Sequence, residues 1–190
     1  MELVLPLVLA SGSPRRREIL DTMGIAYTVD ISEVDESFSG SPDQMVMTLS
    51  ERKARAVSIR HPGSLILAAD TVVCADRILG KPRSPKEAVQ MLSELSGNWH
   101  SVYTGITLIN TVNQRVISRS EVTRVHFDTL DRDEIEAYVS TGDSNDKAGA
   151  YGIQGMAGMF IDRIEGSYSN VVGLPMALLR NMLKEISVEN

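Results

Sequence analysis

The stretch LVLPLVLASGSPRRREILDTMG, residues Leu3–Gly24, decides how the chain begins to fold. The apolar run Leu3–Ala10 has no helical periodicity and stops at small polar residues, so it predicts a buried strand. Ser13 followed by Pro14 is typical of a helix N-cap and first helical position, and Gly24 predicts the end of that helix. The sequence therefore predicts a strand, a short polar loop and a helix, and the loop is of a size to hold a phosphate.

Further helices and a second strand follow in the first half of the chain. Ser41 and Ser84 each begin a Ser-Pro-x-Gln or Ser-Pro-x-Glu sequence, which is the pattern of a capping box. These boxes predict helices at about 42–60 and 85–95. Between them, Leu65–Val73 is apolar and predicts a second buried strand.

The second half of the chain has a more antiparallel pattern. Trp99–Asn110 and Val116–Phe127 predict two strands joined by a polar turn. A helix is expected from near Asp131 to Thr141, with Gly142 as its C-terminal stop, and a last helix begins at Pro175. We therefore expect an α/β fold with two lobes around a cleft.

Composition limits the classes of protein to be considered. The 190 residues are 43% hydrophobic, enough for one substantial core, so residues 1–190 are expected to form a single domain. The net charge of −6 disfavours a nucleic-acid-coating protein, and no apolar stretch approaches the length of a membrane span. The single cysteine, Cys74, and the lack of a signal-peptide pattern predict a cytoplasmic protein without nucleic-acid or membrane partners.

The loop after the first strand contains candidate phosphate ligands. Ser11, Arg15 and Arg16 combine a hydroxyl and two guanidinium groups with the backbone amides of a helix N-terminus. Phosphate oxygens bind well in such surroundings, because arginine donates bidentate, charge-assisted hydrogen bonds. A capped surface helix with solvated arginines explains the same residues equally well when they are considered alone.

Carboxylates at two places are candidates for metal binding or acid–base chemistry. Asp70 ends an apolar strand next to Thr71, where an unpaired buried carboxylate would be costly, although a turn carboxylate is the simpler alternative. Asp35 and Glu36 lie in an acidic stretch whose oxygens suit magnesium or manganese, and such stretches are more often plain surface.

Two lysines and one glutamine complete the set of candidates. Lys53 lies within a predicted helix, and Lys81 follows Gly80 in a turn that could direct its amine into a cleft. Both lysines could equally be ordinary surface residues. Gln154 lies in the glycine-rich string from Asp146 to Gly155 and can both donate to and accept from a nucleotide base, whereas a tight turn would explain the glycines alone.

Motifs for several other nucleotide and metal sites are absent from the sequence. There is no Walker loop, no dinucleotide fingerprint and no His/Cys cluster with zinc spacing. The three histidines, His61, His100 and His126, are scattered, and His100 is a weak candidate in an expected turn.

Taken together, these segments resemble the Maf family of nucleotide pyrophosphatases from about Leu7 to Pro175. The matching elements, in chain order, are Leu9–Arg16, Lys53-Ala54, Ala69-Asp70-Thr71, Gly80-Lys81-Pro82, Ser96-Gly97 with His100, Asp146–Gly155 and Gly173-Leu174-Pro175. The resemblance implies a fold similar to the inosine triphosphatase class, with a long mixed sheet, flanking helices and a cleft between two lobes.

The resemblance also implies a reaction, in which the bond between the α and β phosphates of a nucleoside triphosphate is cleaved. Asp70 stands at the position of the proton acceptor, and Arg15, Thr71 and Gln154 stand at positions tied to substrate choice. They match the branch that acts on dTTP and UTP. The branch that acts on 7-methyl-GTP has Trp at the position of Arg15 and Glu at that of Gln154, and it is the alternative substrate class.

The residues and the resemblance together suggest a role for each candidate side chain. Glu36 and Asp70 are expected to meet a divalent metal, Mg or Mn, with the choice between Asp35 and Glu36 left open, and Gln154 is expected to contact the base. The residues expected to bind phosphates are Ser11, Arg15, Arg16, Lys53 and Lys81.

The biological role and assembly are implied only by the resemblance. It suggests a homodimer and a house-cleaning role against modified nucleotides. A nucleotide-sensing regulator is the alternative from another class, given the family's historical link to septum formation. A sensor needs no water-activating carboxylate, so Asp70 favours the enzyme.

Overall fold

The computed structural model describes residues 3–187. The strands are β1 (Leu7–Leu9), β2 (Tyr27–Val29), β3 (Leu65–Cys74), β4 (Ile78–Leu79), β5 (Trp99–Asn110), β6 (Arg115–Phe127) and β7 (Ile161–Glu165). The helices are α1 (Pro14–Thr22), α2 (Pro42–Ser58), α3 (Pro85–Leu95), α4 (Arg132–Ser140), α5 (Tyr168–Val172) and α6 (Met176–Ile186). Short 3₁₀ helices span Ala148–Ala150 and Met156–Phe160.

The strands within residues 3–187 form one mixed sheet. Six of them lie in the order β2-β1-β3-β5-β6-β7, and β4 pairs with β3. β1 runs parallel to both of its neighbours, so that Leu7 pairs with Tyr27 on one side and with Leu65 on the other. The β3–β4 and β6–β7 pairs are antiparallel. The predicted α/β class, with a long mixed sheet that is more antiparallel in its second half, is confirmed.

The chain divides into two compact units. The first unit comprises the described parts of Met1–Asp70, Thr104–Glu121 and Gly173–Asn190, and the second comprises Thr71–Tyr103 and Val122–Val172. This division agrees with the predicted pair of lobes. The cleft around which they were expected to lie, and the description of residues 1–190 as one domain, stay predictions.

Each unit has its own hydrophobic core. In the first unit, one core cluster packs α2 against the inner strands, and its buried members are Val8, Ala10, Ala54, Val57, Ile66, Ala68 and Ile109. In the second unit, α3 and α4 supply Leu92 and Tyr138 to a larger cluster that also contains Phe127 of β6. Burial of these apolar faces fixes the helices on the sheet.

Most helix ends follow the sequence signals. Ser41 and Gln44 form the full capping box, with each side chain bonded to the other residue's backbone. The second predicted box is only half right, because Ser84 accepts from the Glu87 amide while the Glu87 carboxylate accepts from the amide of Arg83. Because the Glu87 carboxylate bonds the Arg83 amide and not the Ser84 amide, the capping box is incomplete.

The start of the chain departs from the prediction. The expected strand Leu3–Ala10 was wrong in length, since only Leu7–Leu9 is β-strand. Pro6 has no N–H to donate to a neighbouring strand, although its carbonyl accepts from the Leu65 amide of β3 at 2.9 Å. Ser13 is the N-cap residue of α1, but its hydroxyl makes no capping hydrogen bond to any described residue.

Glycines end the two helices where the sequence predicted. Gly24 has φ +63° and Gly142 has φ +78°, and this left-handed backbone stops α1 and α4. The predicted turn at His100 was wrong, because that residue is buried within β5. The short elements β2, β4 and α5 carry too little periodicity to be predicted from the sequence.

No helix within residues 3–187 is long and apolar enough to cross a membrane.

Candidate active site

The polar loop after β1 is tied to the first turn of α1. Ser11 is buried, and its Oγ accepts from the Ser13 amide at 3.3 Å and from Arg16 Nη1 at 3.0 Å. Arg16 Nε also donates to the Gly173 carbonyl at 2.9 Å. The guanidinium is therefore fixed from two sides, and the loop, the start of α1 and the chain before α6 are held together.

Arg16 lies within the field of three other predicted site residues. Burial lowers the pKa of its guanidinium, while the charge of Asp70 opposes this shift, Arg15 adds to it and Glu36 opposes it. These opposing effects require the four charges to lie close together. Arg16 stays cationic at neutral pH, because arginine is not deprotonated in proteins.

Lys53 is the centre of the charged cluster in the first unit. Its Nζ donates to Asp70 Oδ1 at 2.6 Å and lies 2.8 Å from Glu36 Oε1. The side chains of Lys53 and Asp70 are only 15% and 13% exposed, whereas that of Glu36 is 64% exposed. Helix α2 supplies the lysine, β3 supplies the aspartate, and the segment before α2 supplies the glutamate. The prediction that Asp70 ends its strand was wrong, because β3 continues to Cys74.

The two candidate carboxylates in the acidic segment before α2, those of Asp35 and Glu36, make different contacts. Asp35 accepts from the amide of Ser37 at 2.9 Å and from its hydroxyl at 2.5 Å, and these hydrogen bonds lower the pKa of Asp35. Arg52 donates to the backbone carbonyls of Asp35 and Ser37, which fixes this turn. The Asp35 carboxylate thus serves the local turn, and Glu36 is the one that reaches Lys53.

The carboxylates of Asp70 and Glu36 converge on a single cation, the ammonium of Lys53. No group of three or more His, Cys, Asp or Glu side chains placed to hold a metal ion occurs within residues 3–187. Magnesium is commonly bound by one or two protein carboxylates together with water and substrate phosphates. Two carboxylates that already meet at one positive charge fit that kind of site.

The predicted site residues are divided between the two units. Thr71, Lys81 and Gln154 belong to the second unit. Those in the first unit are Ser11, Arg15, Arg16, Glu36, Lys53 and Asp70. Their assembly into one site across the two units stays a prediction.

Within the second unit, the Gly80-Lys81 turn is tied to the glycine-rich string. The Gly80 carbonyl accepts from the Gly149 amide at 3.1 Å. Lys81 and Gln154 are both exposed, and Thr71 is partly buried on β3 directly after Asp70. The structure thus places Lys81 and Gln154 on neighbouring segments of one unit, with their side chains at the surface.

His100 supports the glycine-rich string from inside the core. Its Nε2 lies 2.7 Å from the hydroxyl of Tyr151, and its ring makes edge contacts with Phe127 and Tyr151. Burial lowers the pKa of His100 to about 4, so the ring is neutral at physiological pH. His100 therefore holds Tyr151 in place and is not exposed to a ligand.

The sequence did not indicate the role of Gly173. Its carbonyl anchors Arg16, although the two residues are 157 positions apart. The one available signal was that Gly173 belongs to a segment that resembled the family and had no assigned role. Every residue has a backbone carbonyl, so the residue type at position 173 does not indicate this contact, and only the fold reveals it.

Known proteins share much of this sequence. The profile of the family described as Maf-like protein matches residues 6–186. A dTTP/UTP pyrophosphatase of Desulforamulus reducens is 48% identical over 188 residues, covering 97% of this chain and 98% of the relative. A dTTP/UTP pyrophosphatase of Acetivibrio thermocellus is 45% identical over 191 residues, covering 96% of each chain.

A solved structure, that of protein VC0702 from Vibrio cholerae, is 13% identical to this chain, with a TM-score of 0.45. The match covers 97% of this chain and 100% of the other. The family profile spans nearly the whole chain, and the relatives match at close to half of all positions. The chain belongs to the Maf family.

Proposed function

We propose that this chain hydrolyses dTTP and UTP to the nucleoside monophosphates and pyrophosphate, with the help of a divalent metal ion. The single observation that carries the proposal is the convergence of Asp70 and Glu36 on Lys53, in the same unit as the partly buried hydrogen bond from Arg16 to Ser11. The names borne by the similar proteins support the choice of nucleotide.

The first unit supplies the groups for the phosphates. Ser11 donates its hydroxyl, and Arg16 offers a charge already oriented by two hydrogen bonds, so neither must be ordered when a nucleotide binds. Lys53 is held by two carboxylates, and the third N–H of its ammonium is available to donate to a phosphate oxygen. Arg15 and Lys81 add further positive charge.

Asp70 is the proton acceptor in the proposed reaction. A water molecule attacks the α phosphorus while its proton passes to the Asp70 carboxylate, and the bond from the α phosphorus to the bridging oxygen breaks. Pyrophosphate leaves with that oxygen. Lys53 keeps the carboxylate in one orientation through the 2.6 Å hydrogen bond.

Asp70 and Glu36 would hold the metal ion, for which Mg²⁺ and Mn²⁺ are suited by their preference for hard oxygen ligands. Such an ion supplies positive charge next to the phosphates when bound. Gln154 contacts the base, and Arg15 and Thr71 contribute to substrate choice.

The proposal is tested by incubating the purified chain with a panel of canonical and modified nucleoside triphosphates and detecting pyrophosphate and orthophosphate separately. We expect pyrophosphate from dTTP and UTP with added Mg²⁺ or Mn²⁺, and none in excess EDTA. Orthophosphate as first product, or full activity in EDTA, would contradict the chemistry. Nucleotide binding without turnover would support the sensor instead.

We also infer a cytoplasmic homodimer, as the family resemblance implies. Light scattering of the purified chain is expected to give twice the mass of 20.8 kDa. If modified pyrimidine triphosphates are cleaved better than dTTP and UTP in the panel, a house-cleaning role is supported.

A further inference from the structure

The turn that carries Gln154 is closed by a backbone hydrogen bond and lies against neighbouring side chains of the second unit. Gln154 is the third residue of the turn from Gly152 to Gly155, whose ends are joined by a hydrogen bond from the Gly155 amide to the Gly152 carbonyl at 3.1 Å. Gln154 itself is exposed. The backbone of this turn fixes the point from which the Gln154 side chain extends.

Lys147 closes one side of the turn. Its Nζ donates to the Asp143 carbonyl at 2.5 Å, to Asp143 Oδ1 at 2.9 Å and to Asp146 Oδ1 at 2.8 Å. These three bonds match the three donors of an ammonium group, so its hydrogen-bonding capacity is used inside the second unit. The lysine stem lies against Gly152, where a Cβ atom would come within 2.7 Å of Lys147 Cε.

Asp143 and Tyr138 close the other side. Asp143 Oδ2 accepts from the Tyr138 hydroxyl at 3.0 Å, and it lies where a Cβ on Gly155 would approach to 2.8 Å. The Gly152 amide lies near the Tyr138 hydroxyl, where it partly opposes the effect of burial on the pKa of that hydroxyl. One phenol thus bonds the Asp143 carboxylate and lies beside the turn.

Tyr138 is rigidly placed within its helix. The residue is fully buried, and its ring meets Phe160 edge-on with a centroid distance of 5.4 Å. Burial raises the pKa of its hydroxyl, which therefore remains a neutral donor at all physiological pH values. The network is thereby anchored to α4 and to the core of the second unit.

We propose that Tyr138, Asp143 and Lys147 are positioning residues that set the orientation of Gln154 and, through it, the selectivity for the base. This trio is called the brace, and the ammonium of Lys147 is bound by the carboxylates of Asp143 and the neighbouring Asp146. The inference rests on the proposed function only for the identity of the nucleotide. The brace itself follows from contacts within one unit.

The test compares Tyr138→Phe and Lys147→Met with wild type. Tyr168→Phe is the matched control, because Tyr168 is half exposed at the start of α5 and lies outside the brace. We expect both brace variants to lower the ratio of kcat/KM for dTTP over CTP by about threefold to tenfold, while kcat for dTTP stays within about twofold. The control is expected to leave the ratio unchanged.

A second measurement does not depend on turnover. Amide exchange at Gly152 and Gly155, followed by NMR in the free protein, is expected to be about fivefold to tenfold faster in Tyr138→Phe than in wild type, because Asp143, which lies against the turn, loses its hydrogen bond to Tyr138. Melting temperatures of all variants confirm that they are folded. An unchanged exchange rate would show that no brace exists.

The outcomes separate the two proposals. A folded wild type that releases no pyrophosphate from dTTP or UTP overturns the proposed function, and the ratio of Kd for dTTP and CTP then replaces the kinetic ratio. Faster exchange with an unchanged ratio overturns the positioning role. Equal loss of activity on both nucleotides also overturns it, because a merely structural role would produce that pattern.

Discussion

The two units hold their candidate functional residues in opposite ways. In the first unit, the functional side chains bond directly to one another, as Lys53 does to Asp70 and Glu36. In the second unit, Gln154 is exposed, and its turn lies against Lys147 and Asp143, which have no part in the proposed chemistry. The difference indicates that substitutions in the Lys53–Asp70–Glu36 cluster should affect all nucleotides alike, whereas those at Gln154 and in the residues that support its turn should change the preference among them.

The largest effect is expected from Asp70→Asn. The amide keeps the size of the side chain but cannot accept the proton or bind a metal strongly, so kcat should fall by about 10²–10⁴-fold. Pyrophosphate release from dTTP measures it, with circular dichroism as the test of folding. Asp76→Asn, an exposed aspartate after the same strand, is the matched control and should keep full activity. Activity of Asp70→Asn within about threefold of wild type would show that Asp70 is not the proton acceptor.

Lys53→Met should give the next largest loss. Methionine keeps an unbranched apolar stem but leaves Asp70 and Glu36 without their shared cation and removes a donor to phosphate. We expect kcat/KM to fall by about 10²-fold for dTTP and CTP alike. Lys86→Met, at an exposed position in the first turn of α3, is the control. A changed preference between the two nucleotides would show that Lys53 also takes part in base selection and would contradict its assignment to the chemistry alone.

Gln154→Glu and Arg15→Trp should change selectivity. Thymine and uracil present carbonyl acceptors beside an N–H donor. The amide of Gln154 can form hydrogen bonds with both kinds of group, whereas a carboxylate can only accept. Trp at position 15 offers a stacking face for a cationic methylated purine. We expect the kcat/KM ratio of dTTP over 7-methyl-GTP to fall by about tenfold to a hundredfold. A ratio that is unchanged in both variants would refute the assignment.

The smallest expected effect is a pH dependence of stability from His100. Its folded-state pKa of about 4 lies below the ordinary value of 6.5, so the unfolded chain binds the proton first as pH falls. Stability from this group is complete above the ordinary pKa and is lost between it and about pH 4. The free energy of unfolding should drop by about 1 kcal/mol from about pH 7 to about pH 5.5.

Urea unfolding of wild type and His100→Gln measures this contribution. Glutamine can still meet the Tyr151 hydroxyl but does not titrate, so the variant should show a shallower slope with pH. Equal slopes in the two proteins would mean that His100 is not buried in the neutral form.

The fold was predictable wherever local chemistry determines it. The capping box at Ser41 and the left-handed glycine at Gly142 act within a few residues, and the structure has both. The length of the first strand, Leu7–Leu9, was overestimated, because apolar character alone does not show where backbone pairing begins. His100 was wrongly placed in a turn, because the turn that Ser96-Gly97 predicts ends before β5 begins at Trp99.

The candidate site was predictable as a set of residues but not as a set of contacts. Motif order pointed to Lys53 and Asp70, and the structure joins them at 2.6 Å. The sequence could not separate Asp35 from Glu36, since the choice depends on a turn closed by Ser37. The role of Tyr138 was likewise hidden, because a buried tyrosine on a helix first suggests core packing.

The most direct test of the account measures kcat/KM for dTTP and CTP side by side in wild type, Asp70→Asn and Gln154→Glu. We expect Asp70→Asn to lower both values by the same factor, leaving their ratio within about twofold of wild type, and Gln154→Glu to shift the ratio by about tenfold or more. A ratio that moves with Asp70→Asn, or stays fixed with Gln154→Glu, would contradict the separation of chemistry at Asp70 from base selection at Gln154.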